Sequence, residues 1–426
     1  MSIESNWRRI QSAPRTGAVL LPSFTNILVG IARTFPVSVM VALPFALLII
    51  PPAILNKNPE TGFIFKVLII ALAATFTVEL LIHFFKRVLG ARRDRNALEV
   101  DAEEALPQSL ARRYFIVAVC AILVGAIANN ITALIGIGTI ETQVGAAEAA
   151  SGPVAGILTL MRPYDLIGSA LLIWAYRIKG CSGRAFLFWF AFAIVAKLVY
   201  VLQLGITVQF WRYLSTFVFL LLFARLIRFR TIIAIGVAVA IMWPVLYEYR
   251  NAERELRGVE VVQGLEASDR LRYDLQVTRA SGIETGQDIG QIQWYEVPRY
   301  GLIPGVLDPG RGPVNTGMLI NSRILGGSEI SAYTFLPVAT SYVLQGPGGM
   351  ALIYGFYAMF AAWIIDGGRY MGGGRFVTLG LFVFGALGWF YVFPDSAIAF
   401  LQSMITAIPI FVIITRRPKL NVNLRR

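Results

Sequence analysis

The chain has 426 residues, of which 56% are hydrophobic and only 15% charged, and its mean hydropathy is +0.65. A soluble domain carries about 45–50% apolar and about 25% charged residues, so this excess excludes an ordinary soluble fold and points to apolar faces that meet lipid. One histidine and two cysteines argue against zinc centres, haem, Ser-His-Asp chemistry and a disulfide framework. In a membrane chain a net charge of +13 belongs in cytoplasmic loops and is no nucleic-acid footprint.

In chain order, residues 1–34 hold a polar start with Arg8, Arg9 and Arg15, then an interfacial helix over 17–33 broken by Pro22, Ser23, Thr25 and Asn26. The first long apolar run comes too late for a cleavable signal peptide. One crossing needs about 20 residues, and ten apolar runs qualify, at 35–54, 63–85, 114–136, 155–176, 185–204, 209–227, 231–248, 349–366, 376–393 and 397–415. Alternate connections are basic: Lys86 to Arg113; Arg177, Lys179 and Arg184; Arg225, Arg228 and Arg230; Arg369 and Arg375; and the tail from Arg416. The short connections between them, 56–62, 139–152 and 395–397, hold only Lys57. The positive-inside rule then places both termini in the cytoplasm. The expected fold is an all-α polytopic membrane protein with about ten transmembrane helices and one long extracytoplasmic loop. Its parts are a cytoplasmic N-terminus and interfacial helix (1–34), helices one to seven (35–248), a loop domain (249–348), helices eight to ten (349–415) and a tail (416–426).

The loop carries nine arginines, no lysine and eleven acids, so it is near neutral at −2. Over 249–280, pairs such as Glu253/Arg257 and Arg270/Asp274 predict a solvated helix. Over 281–347, dense glycine and proline predict a tight, non-helical path. Arginine in such a loop suits a diphosphate, which its planar fork holds bidentately, and glycine lets the backbone come close. Arg299, Arg311 and Arg323 therefore either bind such a group or pair with Asp308, Glu296 and Glu329 to hold the loop together. Stretch 329–345 is half apolar and predicts a re-entrant or interfacial helix.

Charges inside spans are functional candidates. Arg212 and Lys197 lie in the expected outer half and either hold a lipid diphosphate or snorkel to headgroups. Arg162 and Asp165 flank Pro163 and are expected to pair across that helix break. Glu79 and His83, four apart, read as a structural pair more readily than as a proton relay. Trp211, Tyr213, Trp243 and Tyr247 suit an aromatic belt. No metal-ligand spacing, Walker loop, Rossmann fingerprint or nucleophile elbow is present, so neither a metal nor a cofactor is expected.

The layout, with one long arginine-bearing outer loop, resembles the Wzy-type oligosaccharide repeat-unit polymerases, GT-C-like membrane glycosyltransferases grouped with O-antigen ligases. Members carry an arginine and a glycine separated by ten residues in outer loops; Arg299 with Gly310 and Arg279 with Gly290 fit that spacing. Pro337 to Gly349, running through Tyr342 into a span, is similar to the tyrosine–glycine–glycine start of a late helix, with Thr340 where many relatives have a glutamate. Ligases carry a histidine in the long loop; here the lone His83 lies on the other side, which disfavours that relative. The resemblance implies transfer of a glycan from one polyprenyl-diphosphate-linked repeat unit to the non-reducing end of another, on the outer face of a bacterial inner membrane. It implies Arg212, Arg299 and Arg311 on the diphosphate, with Arg323, Arg279, Lys197 and Tyr342 as further binding residues. Glu329 or Asp308 would be the base, and a chain-length regulator a possible partner. The competing class is a lipid-linked glycan flippase or transporter.

Overall fold

The computed structural model describes residues 30–31, 34–90, 108–137, 139, 152–205, 208–224, 226–256, 272–303, 307–308, 310, 314, 316–327, 333–366, 372–385 and 392–415. The interfacial helix expected over 17–33, the tail 416–426, Arg311 and Glu329 lie outside them, as do most of the charges of 86–107.

The described residues are helical, with no strand. Eight helices are long and apolar enough to cross a membrane: α1 (Pro36–Leu55), α2 (Thr61–Gly90), α3 (Gln108–Leu134), the broken pair α4 (Pro153–Met161) and α5 (Tyr164–Arg177), α6 (Gly183–Leu204), α8 (Phe229–Leu256), α12 (Pro337–Asp366) and α14 (Asp395–Thr415). The sixth and ninth expected spans appear as the shorter α7 (Val208–Phe223, 16 residues) and α13 (Gly373–Gly385, 13 residues). Residues 206–207 and 225, which flank α7, and 386–391, which follow α13, lie outside the described residues.

Local signals set the boundaries. Ser182 caps α6 by accepting from Ala185 N–H at 3.3 Å, and Gly205 ends it in the left-handed region. α1 has no cap of its own. Glu79, from α2, supplies one by accepting from Val37 N–H at 2.8 Å, Ser38 N–H at 3.4 Å and the Ser38 hydroxyl at 2.6 Å. This corrects the Glu79–His83 pair: a buried carboxylate satisfies the orphan donors of a helix start, while His83 stays exposed.

The tightest crossing joins α3 and α5. A Cβ on Gly125 would lie 2.0 Å from Asp165 N, and one on Gly168 would lie 2.6 Å from Ile122 N. With no hydrophobic drive between helices in lipid, such small residues let backbones meet and dispersion accumulate. α13 and α14 close over α5 and α12 through Phe376, Phe382 and Phe400, all buried. α8 stands at the periphery, with 13% of its apolar window buried. Trp243 meets Trp211 at 5.4 Å, and Arg254 donates to Gly205 O at 3.1 and 3.0 Å.

The loop differs from its expectation in detail. Residues 249–256 continue α8, 257–271 lie outside the described residues, and α9 covers Tyr273–Thr278. The segment expected to be non-helical contains α10 (Val297–Leu302), α11 (Thr316–Leu319) and a π-turn over Ile320–Ile324. Proline at the first turn favours α10 despite its neighbouring glycines. The eighth span starts at Pro337, twelve residues earlier than expected, and kinks at Gly346 (φ 70°, ψ 176°) before Pro347. Thr340 anchors this start, its hydroxyl accepting from Phe335 N–H at 3.0 Å.

Candidate functional site

Two polar assemblies stand out, built by different helices. The first lies inside the bundle. The α3–α5 contact brings Asp165 beside Asn129, and α6 packs against both helices. Lys197 of α6 forms an ion pair with Asp165 at 2.8 Å, their side chains 7% and 8% exposed. Asn129 donates to the same carboxylate oxygen at 2.9 Å, and Leu166 N–H to the other at 2.6 Å. Ile122, Ala126, Ala193 and Ala196 close around the pair, leaving no space for a water molecule.

The expected Arg162–Asp165 pairing is corrected. Arg162 donates to the Tyr200 hydroxyl and to Asn129 Oδ1 at 3.4 Å, while α6 offers Asp165 an ammonium within the packed interior. Lys197 points inward and does not snorkel. It also lies 4.8 Å from the Tyr200 ring centroid and 5.2 Å from that of Tyr213. Tyr213 belongs to this interior, with its hydroxyl 2.9 Å from the Ser169 hydroxyl, and not to a belt. Arg212 is buried too. Its guanidinium donates to Phe384 O and stacks 4.2 Å from the Phe384 ring.

The second assembly is an open pocket of about 500 Å³ where the loop meets the start of α2 and the first half of α12. Its walls are Glu60, Gly62, Phe63, Lys66, Ser281, Gly282, Ile283, Glu284 and Tyr342. Lys66 Nζ lies 5.1 Å from the Tyr342 ring centroid, and Phe63 meets that ring edge-on at 5.6 Å. The Ser281 hydroxyl donates to Glu60 at 2.7 Å, and Gly286 N–H to Val343 O at 2.7 Å. Beneath it, Arg272 holds buried Asp274 bidentately at 2.9 and 3.0 Å, and Asn58 donates to it at 3.1 Å. Burial raises the Asp274 pKa, but these hydrogen bonds outweigh it and hold the carboxyl below its ordinary value.

Of the loop residues expected at a site, Arg299 and Asp308 face each other bidentately at 2.7 and 2.8 Å, with Arg299 exposed. Arg279 is exposed and stacks 5.1 Å from the Tyr333 ring centroid. Arg323 is exposed on the π-turn. Among the described residues, Tyr342 is the one expected residue that lines the pocket. Sequence reasoning passed over Glu60, Lys66 and Glu284; the one signal was Lys66, a lone charge three residues into the apolar run that begins at Phe63. Among the described residues, no group of three or more metal-ligating side chains is present.

No protein-family model, no curated protein and no solved structure matches the chain.

Proposed function

We propose that the protein is a polysaccharide polymerase, a glycosyltransferase with a polyprenyl-diphosphate-linked oligosaccharide as donor and the non-reducing end of a second one as acceptor. The observation that carries this reading is the open pocket walled by Glu60, Lys66, Glu284 and Tyr342 where a long loop folds onto membrane helices. Its wall carries carboxylates, a cation and an aromatic ring, groups suited to sugar hydroxyls and to a diphosphate. Pockets of about 300–1,000 Å³ are the usual size for small ligands.

In the reaction, an acceptor hydroxyl attacks the anomeric carbon of the donor. The bond from that carbon to the diphosphate oxygen breaks, its electrons leave with the lipid diphosphate, and the hydroxyl proton passes to a carboxylate. Glu60 and Glu284 join Asp308 and Glu329 as candidates for that carboxylate. Lys66, Arg279, Arg299, Arg311 and Arg323 are candidates for the leaving diphosphate, whose charge grows in the transition state. Lys197 and Arg212 are packed inside the bundle, on Asp165 and Phe384, and do not join this set. The direction of the chain, with loop and pocket outside a bacterial inner membrane and both termini in the cytoplasm, is part of the same proposal.

A second reading, movement of a lipid-linked glycan across the membrane, draws on the Asp165–Lys197 pair, since ionised pairs inside a bundle often line transport paths. Purified protein in lipid vesicles, given a polyprenyl-diphosphate oligosaccharide, separates the two. A product ladder with released lipid diphosphate supports the polymerase. Glycan crossing the vesicle wall with no ladder supports the transporter.

A further inference from the structure

Residues 294–303 lie in the loop, yet they are packed against a membrane helix. Val297 and Tyr300 are buried with Ile398 of α14. A Cβ on Gly301 would lie 2.7 Å from the Leu401 side chain, and Gln402 donates to Tyr300 O at 3.1 Å. Leu401 is six residues into α14, or about 9 Å along it at 1.5 Å per residue. The segment therefore packs beside the first two turns of a helix that is long and apolar enough to cross a membrane.

Its other face is apolar and open. Trp294 is 72% exposed, Tyr295 64%, Leu302 50%, Ile303 41% and Leu307 74%. A water-facing loop has no use for such a row, whereas tryptophan and tyrosine concentrate where bilayer meets water. Further along α14, Ile408, Val412 and Ile413 are also exposed. The charges suit the same place: Arg299 pairs bidentately with Asp308 just beyond the segment, which lowers the cost of holding either one near acyl chains, and Glu296 is half-buried, its carboxylate accepting from Gln293 N–H at 2.9 Å.

We infer that residues 294–303, together with Leu307, form an interfacial foot that inserts Trp294, Tyr295, Leu302, Ile303 and Leu307 into the headgroup–acyl boundary of the loop-side leaflet. The partner is the lipid bilayer itself. The foot holds Arg299 at the level of lipid phosphates, and it does so whether the protein polymerises or transports glycans.

The test uses the full chain in lipid nanodiscs with Cys120 and Cys181 replaced by alanine. Single cysteines are introduced as Trp294→Cys and Leu307→Cys, with exposed Asp288→Cys in the same loop as the aqueous reference, and each is labelled with an environment-sensitive fluorophore. All three positions are at the surface, so none of these substitutions empties the core. The expected result is blue-shifted emission at 294 and 307, quenching there by lipids spin-labelled near the headgroup, and at least a fivefold lower aqueous quenching constant than at 288. Aqueous quenching at 294 and 307 equal to that at 288 overturns the inference. Protection from both aqueous and lipid-borne quenchers also overturns it, because it means that protein covers the patch.

Discussion

Replacing Lys197 by methionine probes the interior ion pair most sharply. Methionine matches the length and much of the volume of lysine but carries no charge, leaving the Asp165 carboxylate in a space too small for water. At 2.8 Å and an effective dielectric of about 20, the gross attraction is roughly 6 kcal/mol. Most of it offsets the desolvation of both groups, so the pair adds little compared with an apolar one. Removing one partner is different, because the other stays buried and uncompensated, at a cost of about 3–5 kcal/mol. Reversible denaturation of the purified protein in detergent, followed by loss of helix signal, reads this directly. Lys197→Met and Asp165→Asn should each cost about 3–5 kcal/mol, and the double variant no more than either single one. Additive losses, or a Lys197→Met variant as stable as the parent, would refute the claim that the two groups depend on each other.

Gly125→Ala should destabilise the fold by about 1–3 kcal/mol in the same assay, since its Cβ would lie 2.0 Å from Asp165 N; an unchanged midpoint counts against the close α3–α5 crossing. Asp274 sits below its ordinary pKa because Arg272 and Asn58 hold its charged form. Its stabilisation is therefore complete at neutral pH and fades as pH falls below about 4 toward the folded-state value. Asp274→Asn should flatten that acid limb, and parallel acid-unfolding curves for the two proteins would contradict the assignment. Under the proposed function, Glu284→Gln and Lys66→Met should each cut polymer yield at least tenfold at equal protein level, read as ladder intensity on a gel. Arg299→Ala should cut yield similarly while leaving the denaturation midpoint in place, because the residue is exposed.

The membrane architecture was legible because lipid leaves the backbone so few choices. Every crossing must satisfy its own hydrogen bonds, so apolar runs alone mark helices: eight of the ten runs coincide with helices long enough to cross, and the other two overlap the shorter α7 and α13. The break before the eighth span was legible too: the half-apolar stretch expected as a helix over 329–345 is helical from Pro337, where Thr340 anchors its start, and non-helical Gly346 divides it from the span that follows. Partners were harder to read. Arg162 and Asp165 are near neighbours in the chain, but the partner of Asp165 comes from another helix, 32 residues on, and only the glycine-mediated α3–α5 crossing with α6 beside it brings them together. The pocket shows the same limit. Glu60, Glu284 and Tyr342 are spread over nearly 300 residues, and nothing in local pattern joins them.

The central claim is that sugar transfer and release of the lipid carrier are one chemical event. It is tested by supplying purified protein in vesicles with a polyprenyl-diphosphate oligosaccharide and counting two products over time: new glycosidic bonds and free polyprenyl diphosphate. The account predicts one lipid diphosphate released per bond formed, with both rates falling together in Glu284→Gln. Lipid diphosphate release without bond formation, or glycan moving between leaflets with neither product, would contradict it.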